Sequence, residues 1–191
     1  MGQIFRQAEQ YLDRLDKGVF VEIGTARDGD DDSTHTLRSW ANRLGKTFYT
    51  VDIDPRWTER AKMLYYDNLV AVNSSGEDFL TKFSRGTEFI SLLYLDNFDW
   101  QYVPEGNACT FQINQYKDRW QLEMDNAASQ LEHLKQFLLL ESYLTQNAVV
   151  ACDDTYIERG VWTGKCGPVV VYMLAKGWKL RDRECGALLT R

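Results

Sequence analysis

The sequence has few basic residues and no long apolar run. Its 22 lysines and arginines are outnumbered by 28 aspartates and glutamates, which gives a net charge of −6. Proteins that bind the phosphate backbone of nucleic acids need clustered positive charge, so a nucleic acid is not expected as a partner. No stretch approaches the roughly 20 apolar residues of a membrane span, and the first residues contain no apolar secretory segment. We therefore expect a cytoplasmic protein without membrane contact.

Cysteine and histidine are also too sparse for a zinc site. The four cysteines form no CxxC pair, and the two histidines are far apart in the chain. The thiols are expected to be reduced, as in a cytoplasm. The 191 residues suit one α/β domain, so residues 1–191 are interpreted as a single domain.

Short apolar runs alternate with helical patterns along most of the chain, which predicts strands that alternate with helices. An opening helix is expected to end near Gly18. Five strand-like runs follow in order: VFVEI, TFYTVDI, NLVAVN, EFISLLYLD and NAVVACDD. Two short strands are predicted after the last helix. This alternation is typical of a Rossmann-like α/β domain with a mostly parallel seven-stranded sheet and helices on both faces.

An unusually long segment separates the fourth and fifth strands. Its second half has the spacing of a long helix, whereas its first half, from Trp100 to Trp120, is aromatic and aperiodic. Loops of this length in a compact domain are often functional. We therefore interpret residues 97–130 as an insertion that covers a substrate.

Acidic residues follow four of the five predicted strands. In open α/β sheets, ligands bind outside the carboxyl ends of the strands, where the strand order reverses. The residues at these ends are Glu22, Gly24, Asp52, Asn73 to Gly76, Asp96, Asp153 and Asp154. A binding site is expected along this edge.

The glycine turn after the first strand does not fit three common ligand loops. A P-loop needs lysine and Ser/Thr where Asp30 and Asp31 stand, and these aspartates would repel phosphates. A dinucleotide fingerprint needs glycine where Ala26 stands. An EF-hand loop counted from Asp28 would need glycine and glutamate at positions that hold Ser33 and Ser39.

S-adenosylmethionine (SAM) fits this turn better, because it carries an ammonium, a sulfonium, a ribose diol and only one carboxylate. Glu22 is a candidate contact for the positive amino-acid end, and Gly24 allows close backbone approach. Ser33 and Thr34, which either cap the next helix or contact the ligand, offer hydroxyls near its free N–H groups. Residues 28–32, with four aspartates, are expected to point mostly to solvent.

The motifs at these positions resemble those of class I SAM-dependent methyltransferases. VEIGTARDGDDDST resembles the first motif and YTVDIDP the second, whose acidic residue binds both ribose hydroxyls. NSSGEDFL resembles the motif beside the adenine, while LLYLDNFD and VVACDD are similar to those of catechol-type and macrocin-type O-methyltransferases. The cofactor contacts that the resemblance and the turn imply are Glu22, Gly24, Thr25, Ser33, Thr34, Asp52, Ile53, Ser75, Gly76 and Asp96.

The general base is not identified by the resemblance. Catechol-type enzymes have a lysine where this chain has Asp99, and many relatives have a histidine where it has Asn97. Asp96 is the candidate catalytic residue, with His35 or Asp99 as other bases, while His133 is interpreted as structural. The predicted reaction is methyl transfer from SAM to an oxygen of a small-molecule acceptor. A non-catalytic SAM-fold binding module and a nucleotide-dependent enzyme remain as alternatives, and a homodimer stays open.

Asp96, Asp153 and Asp154 are the candidate metal ligands. They follow two strands that are neighbours in the usual order of such sheets, about 4.8 Å apart. Crowded carboxylates take up a proton or bind a cation, and their oxygens suit Mg²⁺ or another divalent cation. Two plainer interpretations stay open: Asp96 contacts the cofactor or Lys165, and Asp154 caps a turn. Lys165 itself is interpreted as a solvated loop lysine.

Overall fold

The computed structural model describes residues 3–27, 33–63, 67–100, 107–184 and 186–191. The acidic segment 28–32, whose orientation was predicted from the sequence, lies outside these ranges, as does part of the predicted lid. The strands are β1 (Val19–Ile23), β2 (Phe48–Asp52), β3 (Leu69–Asn73), β4 (Ile90–Leu95), β5 (Leu144–Cys152), β6 (Thr155–Glu158), β7 (Val161–Gly164), β8 (Lys179–Asp182) and β9 (Ala187–Thr190). The α-helices are α1 (Gln3–Glu9), α2 (Ser33–Arg43), α3 (Pro55–Lys62), α4 (Gly76–Phe83), α5 (Asn107–Trp120), α6 (Asn126–Leu140) and α7 (Gly167–Ala175).

Seven strands form one sheet in the order β3-β2-β1-β4-β5-β9-β8. Strands β1 to β5 are parallel to their neighbours, and β9 runs antiparallel to both β5 and β8. The order reverses between β1 and β4, so the carboxyl ends of these two strands flank the place where ligands bind in such sheets. The predicted fold class, a mostly parallel seven-stranded sheet in an α/β domain, is confirmed.

The central strands are buried on both faces because helices cover each side of the sheet. On one face, Phe20 of β1 and Phe48 of β2 pack with apolar residues of α1 and α2. On the other face, Val21, Ile23 and Leu93 pack with residues of α4, α6 and α7. Successive strand residues point to opposite faces, so a doubly covered strand reads as a continuous apolar run. Every residue of β1 and β4 is accordingly buried.

Three local predictions are corrected by the structure. The opening helix ends at Glu9, and a single 3₁₀ turn follows at Leu12–Arg14. Beyond this turn, the Asp16 carboxylate accepts the Asn147 backbone N–H at 2.9 Å, which ties the segment to β5. The aromatic stretch predicted to be aperiodic contains α5, and the predicted loop after β5 forms the β6–β7 hairpin.

The helices of the described residues include none that is both long and apolar enough to cross a membrane.

Candidate functional site

Gly24 brings the end of β1 close to the ends of two other strands. Its backbone N–H donates to the Val51 carbonyl at 2.8 Å, and its φ is +99°. A Cβ at this position would lie 2.6 Å from the Asp96 carbonyl oxygen and from the Asn97 nitrogen. The packing of the chain itself therefore requires glycine here, in addition to any ligand that approaches the turn.

Glu22 lies in the middle of the sheet and is fully buried. Its carboxylate accepts hydrogen bonds from the hydroxyls of Ser33 at 2.5 Å, Thr34 at 2.7 Å and Thr50 at 2.6 Å. Burial raises the pKa of Glu22 to about 8, although the three hydroxyls act in the opposite direction. Glu22 thus joins β1, β2 and the start of α2, and its predicted contact with a cofactor stays a prediction.

Thr25 and Ala26 continue the turn and are fixed by neighbouring side chains. The Thr25 N–H donates to Asp52 Oδ2 at 3.1 Å, and its hydroxyl lies 2.8 Å from that of Thr50. The Ala26 N–H donates to the Thr34 hydroxyl at 2.9 Å. The hydroxyls of Ser33 and Thr34 thus bind Glu22 and this turn, and no described hydrogen bond shows either of them capping α2.

Asp52 ends β2 and lies on the wall of a cavity of about 270 Å³. Its Oδ1 accepts the Asp54 N–H at 2.7 Å, while Oδ2 accepts the Thr25 N–H. Burial raises the pKa of Asp52 to about 6, opposed by these two hydrogen bonds and by the charge of Arg27. The carboxylate is therefore held in one orientation by backbone donors.

The cavity lies at the carboxyl ends of β1 to β4. Four predicted cofactor contacts line it, namely Asp52, Ile53, Ser75 and Gly76. The others (Glu22, Gly24, Thr25, Ser33, Thr34 and Asp96) lie behind or beside it. Sequence reasoning missed Trp57 and Glu132, which also line it, because each belongs to a helix whose inward face only the packing reveals.

Ser75 and Gly76 form the start of α4 at the edge of this cavity. The Ser75 hydroxyl accepts the Asp78 N–H at 3.1 Å, so Ser75 is the N-cap of α4. A Cβ on Gly76 would lie 2.5 Å from Gln136 Nε2 and 2.9 Å from Ile23 Cγ2. The absence of a side chain lets α4 approach both β1 and α6.

The described part of the insertion packs over the cavity through aromatic rings. Tyr116 of α5 accepts the Asp99 N–H at 2.9 Å, and its ring centroid is 5.0 Å from that of Phe98 and 5.0 Å from that of Trp120. Arg27 of the first turn binds Asp99 at 3.0 Å. These contacts place the end of α5 beside the turn that follows β1.

The three predicted metal ligands come together as expected. Each of Asp96, Asp153 and Asp154 offers a carboxylate oxygen, and these oxygens lie within 4.8 Å of one another. Burial, followed by the charge of Asp96, raises the pKa of Asp153 to about 8. The cluster adjoins the cavity, because Asn97, the next residue after Asp96, lines it.

Lys165 lies among these carboxylates, which corrects its interpretation as a solvated loop lysine. The plainer interpretation that Asp96 contacts Lys165 is confirmed. Its Nζ is 2.7 Å from Asp96 Oδ1 and 2.8 Å from Asp154 Oδ2, and the residue is only 4% exposed. Although burial alone would lower it, the pKa of Lys165 is raised by the charges of the three aspartates. In the sequence, Lys165 stands out only as a lysine between two glycines in the stretch TGKCG after β5. The β6–β7 hairpin that turns this lysine inward was not predicted.

His35 and Asp99 were the other candidate bases, and His133 was interpreted as structural. His133 is fully buried, with Nδ1 2.7 Å from the Ser129 carbonyl oxygen, and burial lowers its pKa to about 4. This agrees with the structural role predicted for it. His35 is exposed on α2, and Asp99 is engaged by Arg27.

No protein-family model matches the chain. No curated protein matches its sequence. Solved structures, however, match along nearly the whole chain. The O-methyltransferase NovP has a TM-score of 0.60 at 13% identity, covering 98% of this chain and 77% of NovP. The provisionally assigned methyltransferase SMU.1697c from Streptococcus mutans, in complex with SAH, has a TM-score of 0.53 at 14% identity, covering 100% of this chain and 97% of that one.

A provisionally assigned rRNA methylase from Clostridium thermocellum has a TM-score of 0.54 at 12% identity, covering 100% of this chain and 96% of that one. The chain has the Rossmann-like methyltransferase fold. At such low identity the likeness establishes the fold alone. The similar structures also differ in their described reactions, since one is an O-methyltransferase and another a provisionally assigned rRNA methylase. The reaction of this methyltransferase fold must therefore be inferred from its own residues.

Proposed function

We propose that this chain transfers a methyl group from SAM to an oxygen of a small-molecule acceptor. The observation that carries the proposal is Asp52, whose carboxylate is held by two backbone N–H groups on the wall of the cavity. Each carboxylate oxygen can accept a further hydrogen bond, so together they suit the two hydroxyls of a ribose. The cavity lies at the switch point of the sheet, where ligands of this fold type bind.

The charge of the cavity favours SAM over a nucleotide. Asp52, Glu77 and Glu132 place carboxylates on its wall. Among the described lining residues Arg27 is the one cation, and it is bound to Asp99. A triphosphate or pyrophosphate would be repelled here, whereas a ligand with an ammonium and a sulfonium would be attracted. The nucleotide-dependent alternative is therefore disfavoured.

Asp96 is the residue that we place against the acceptor. It ends β4 next to Gly24, and its side chain is about a quarter exposed. In the proposed step the acceptor oxygen attacks the sulfonium methyl in line, and the C–O bond forms as the C–S bond breaks. S-adenosylhomocysteine leaves, and the hydroxyl proton passes to solvent water. Asp96 would accept the hydrogen bond of that hydroxyl and orient the oxygen, which is the main requirement of such a transfer.

The insertion is proposed to cover the acceptor. Phe98, Tyr116 and Trp120 line the cavity from the segment after β4, so an acceptor beside Asp96 would meet aromatic surface. The net charge of −6 supports a small molecule over an RNA as the acceptor.

A divalent cation was the other predicted part of the site. The donor set of Asp96, Asp153 and Asp154 suits such an ion in kind. The position of Lys165 does not, because two of the three carboxylates already bind its ammonium. The proposed reaction therefore assigns no step to an ion.

The test of the proposal is the affinity of SAM for the Asp52→Ala variant, measured by calorimetric titration. Loss of two charge-assisted hydrogen bonds should cost about 3 kcal/mol or more, which is roughly a 100-fold weaker binding. Asp67→Ala is the matched control, since Asp67 is an exposed aspartate before β3. ATP and NAD should not compete with SAM at similar concentration.

Unchanged SAM affinity in Asp52→Ala would rule out the assignment of the ribose contact. A second measurement separates an enzyme from a binding module. Transfer of a labelled methyl group to hydroxylated small molecules is expected for the wild type. SAM binding without transfer to any acceptor would favour the non-catalytic alternative.

A further inference from the structure

The carboxylate cluster beside the cavity already contains a cation that belongs to the chain. The Lys165 ammonium lies 2.7 Å from Asp96 and 2.8 Å from Asp154, within the distances of direct ion pairs. Its side chain is 5% exposed, whereas those of the two aspartates are 25% and 29% exposed. The lysine thus lies beneath the carboxylates, and the carboxylates face outward.

The backbone holds the lysine in this position. Gly164 has a φ of +82°, and a Cβ there would lie only 1.9 Å from the Asp154 carbonyl oxygen. The Lys165 N–H donates to that same oxygen at 3.0 Å. The Thr155 hydroxyl then donates to the Asp153 carbonyl and accepts the Cys166 N–H. Hydrogen bonds therefore fix the backbone of Lys165 and Cys166, and this holds the Lys165 side chain close to the carboxylates.

This geometry conflicts with a divalent ion at the same place. Mg²⁺ binds oxygen ligands at about 2.1 Å in octahedral geometry, and it usually takes one or two carboxylates and several waters. An ion that used Asp96 and Asp154 would compete with the ammonium for the same oxygens and would be repelled by its charge. An ion that displaced the ammonium from these carboxylates would leave a buried cation without its partners, which is costly.

The structure assigns Lys165 the place of a metal ion: it is a built-in monovalent cation that keeps divalent ions out of the Asp96–Asp153–Asp154 cluster. The acceptor is then held by hydrogen bonds to the outward carboxylates, and one hydroxyl is sufficient because no chelating pair of oxygens is needed. Lys165 acts through Asp96 and Asp154 and is a positioning residue. The part concerning the acceptor rests on the proposed function, whereas the part concerning ions does not.

The experiment measures Mn²⁺ binding to the protein without SAM, by electron paramagnetic resonance of the free ion and by thermal denaturation. The wild type should bind no Mn²⁺ with a Kd below about 1 mM, the weak end of protein sites for such ions. Lys165→Ala should gain one site and should melt at a higher temperature when Mn²⁺ is present. Lys82→Ala is the matched control, because Lys82 is an exposed lysine on α4, and it should behave as the wild type.

The site gained by Lys165→Ala should disappear when Asp153→Asn is added to it, which places the ion in the cluster. One tightly bound Mn²⁺ in the wild type that is lost in Asp153→Asn would overturn the inference. A folded Lys165→Ala that binds no Mn²⁺ would also overturn it, because the lysine would then not be what excludes the ion. If Lys165→Ala folds only with Mn²⁺, the inference is supported, and if it never folds, the wild-type measurement decides.

Methyl transfer provides a separate readout for the acceptor. EDTA should leave the wild-type rate unchanged, and an acceptor with a single hydroxyl should be methylated as readily as its vicinal diol. A strict need for the diol together with loss of activity in EDTA would contradict the role of Lys165. Failure of SAM to bind would instead break the proposed function and leave the Mn²⁺ result standing.

Discussion

Two groups of carboxylates lie near the carboxyl ends of the central strands, and the chain stabilises them in different ways. Glu22, in β1, is surrounded by three hydroxyls and has no cation among its described hydrogen bonds. Asp96 and Asp154, at the ends of β4 and β5, share the ammonium of Lys165. The first group is fully buried, and the second is partly open to the surface.

The difference separates a structural carboxyl group from one that is able to meet a ligand. Hydroxyls donate hydrogen bonds but carry no charge, so burial still raises the pKa of Glu22 to about 8 and the group holds a proton at neutral pH. Lys165 instead places a full positive charge beside the carboxylates that face outward. The outward carboxylates are thus the ones that a ligand could reach.

The largest effect is expected from Gly24→Ala, which would break the contact between the two regions. Its Cβ would press on the Asp96–Asn97 backbone, and its φ of +99° is unfavourable for alanine. Overpacking and strain together should lower the free energy of unfolding by about 3 kcal/mol or more. Urea denaturation of the wild type and the variant measures this loss in the free energy of unfolding.

Gly45→Ala is the matched control for that substitution. Gly45 also has a positive φ, +62°, but a Cβ there would meet nothing within 4 Å. Only the conformational cost of about 1 kcal/mol is then expected. Equal losses in the two variants would mean that the close approach of β1 and β4 does not hold the two regions together.

The second effect concerns pH and the proton on Glu22. Because its pKa rises from an ordinary value of 4.5 to about 8 on folding, its contribution to stability is complete below about pH 4.5 and is lost as the pH rises towards 8. Glu22→Gln cannot titrate, so its free energy of unfolding should fall less steeply between pH 5 and 8. The difference is at most about 1.4 kcal/mol per pH unit.

Denaturation at several pH values measures these slopes, with Glu158→Gln as control because Glu158 is exposed on β6. Asp52 and Asp153, with pKa values raised to about 6 and about 8, contribute in the same direction and leave a residual slope in Glu22→Gln. Identical slopes in the wild type and Glu22→Gln would show that Glu22 is not protonated in the folded protein, and the contrast between the two regions would disappear.

The smallest effect is expected from the ion pair that joins the first turn to the segment after β4. Arg27 and Asp99 lie 3.0 Å apart, but their side chains are 46% and 20% exposed. A double-mutant cycle with Arg27→Ala and Asp99→Ala should give a coupling energy below about 1 kcal/mol, and salt should weaken it further. A coupling that is several-fold larger and insensitive to salt would mean that this pair belongs to a buried network like that of Lys165.

Much of the fold was predictable because local patterns carry it. The runs VFVEI and EFISLLYLD are buried on both faces, and strands of that kind are apolar throughout. Asp54 and Ser75 cap helices α3 and α4 as their sequence context suggests. The three aspartates of the cluster were also predictable, because parallel strands bring their carboxyl ends to one edge.

The sequence by itself therefore determined the fold class, a mostly parallel seven-stranded sheet, and the position of Asp52 at the carboxyl end of a strand. Only the tertiary structure decided the partners of the charged groups. Lys165 reads as a surface lysine until the β6–β7 hairpin folds it onto Asp154. The hydroxyls of Ser33, Thr34 and Thr50 become partners of Glu22 only when three separate elements converge. The physical reason is that charge compensation depends on distances of a few ångströms between residues far apart in the chain, and periodicity contains no information about such distances.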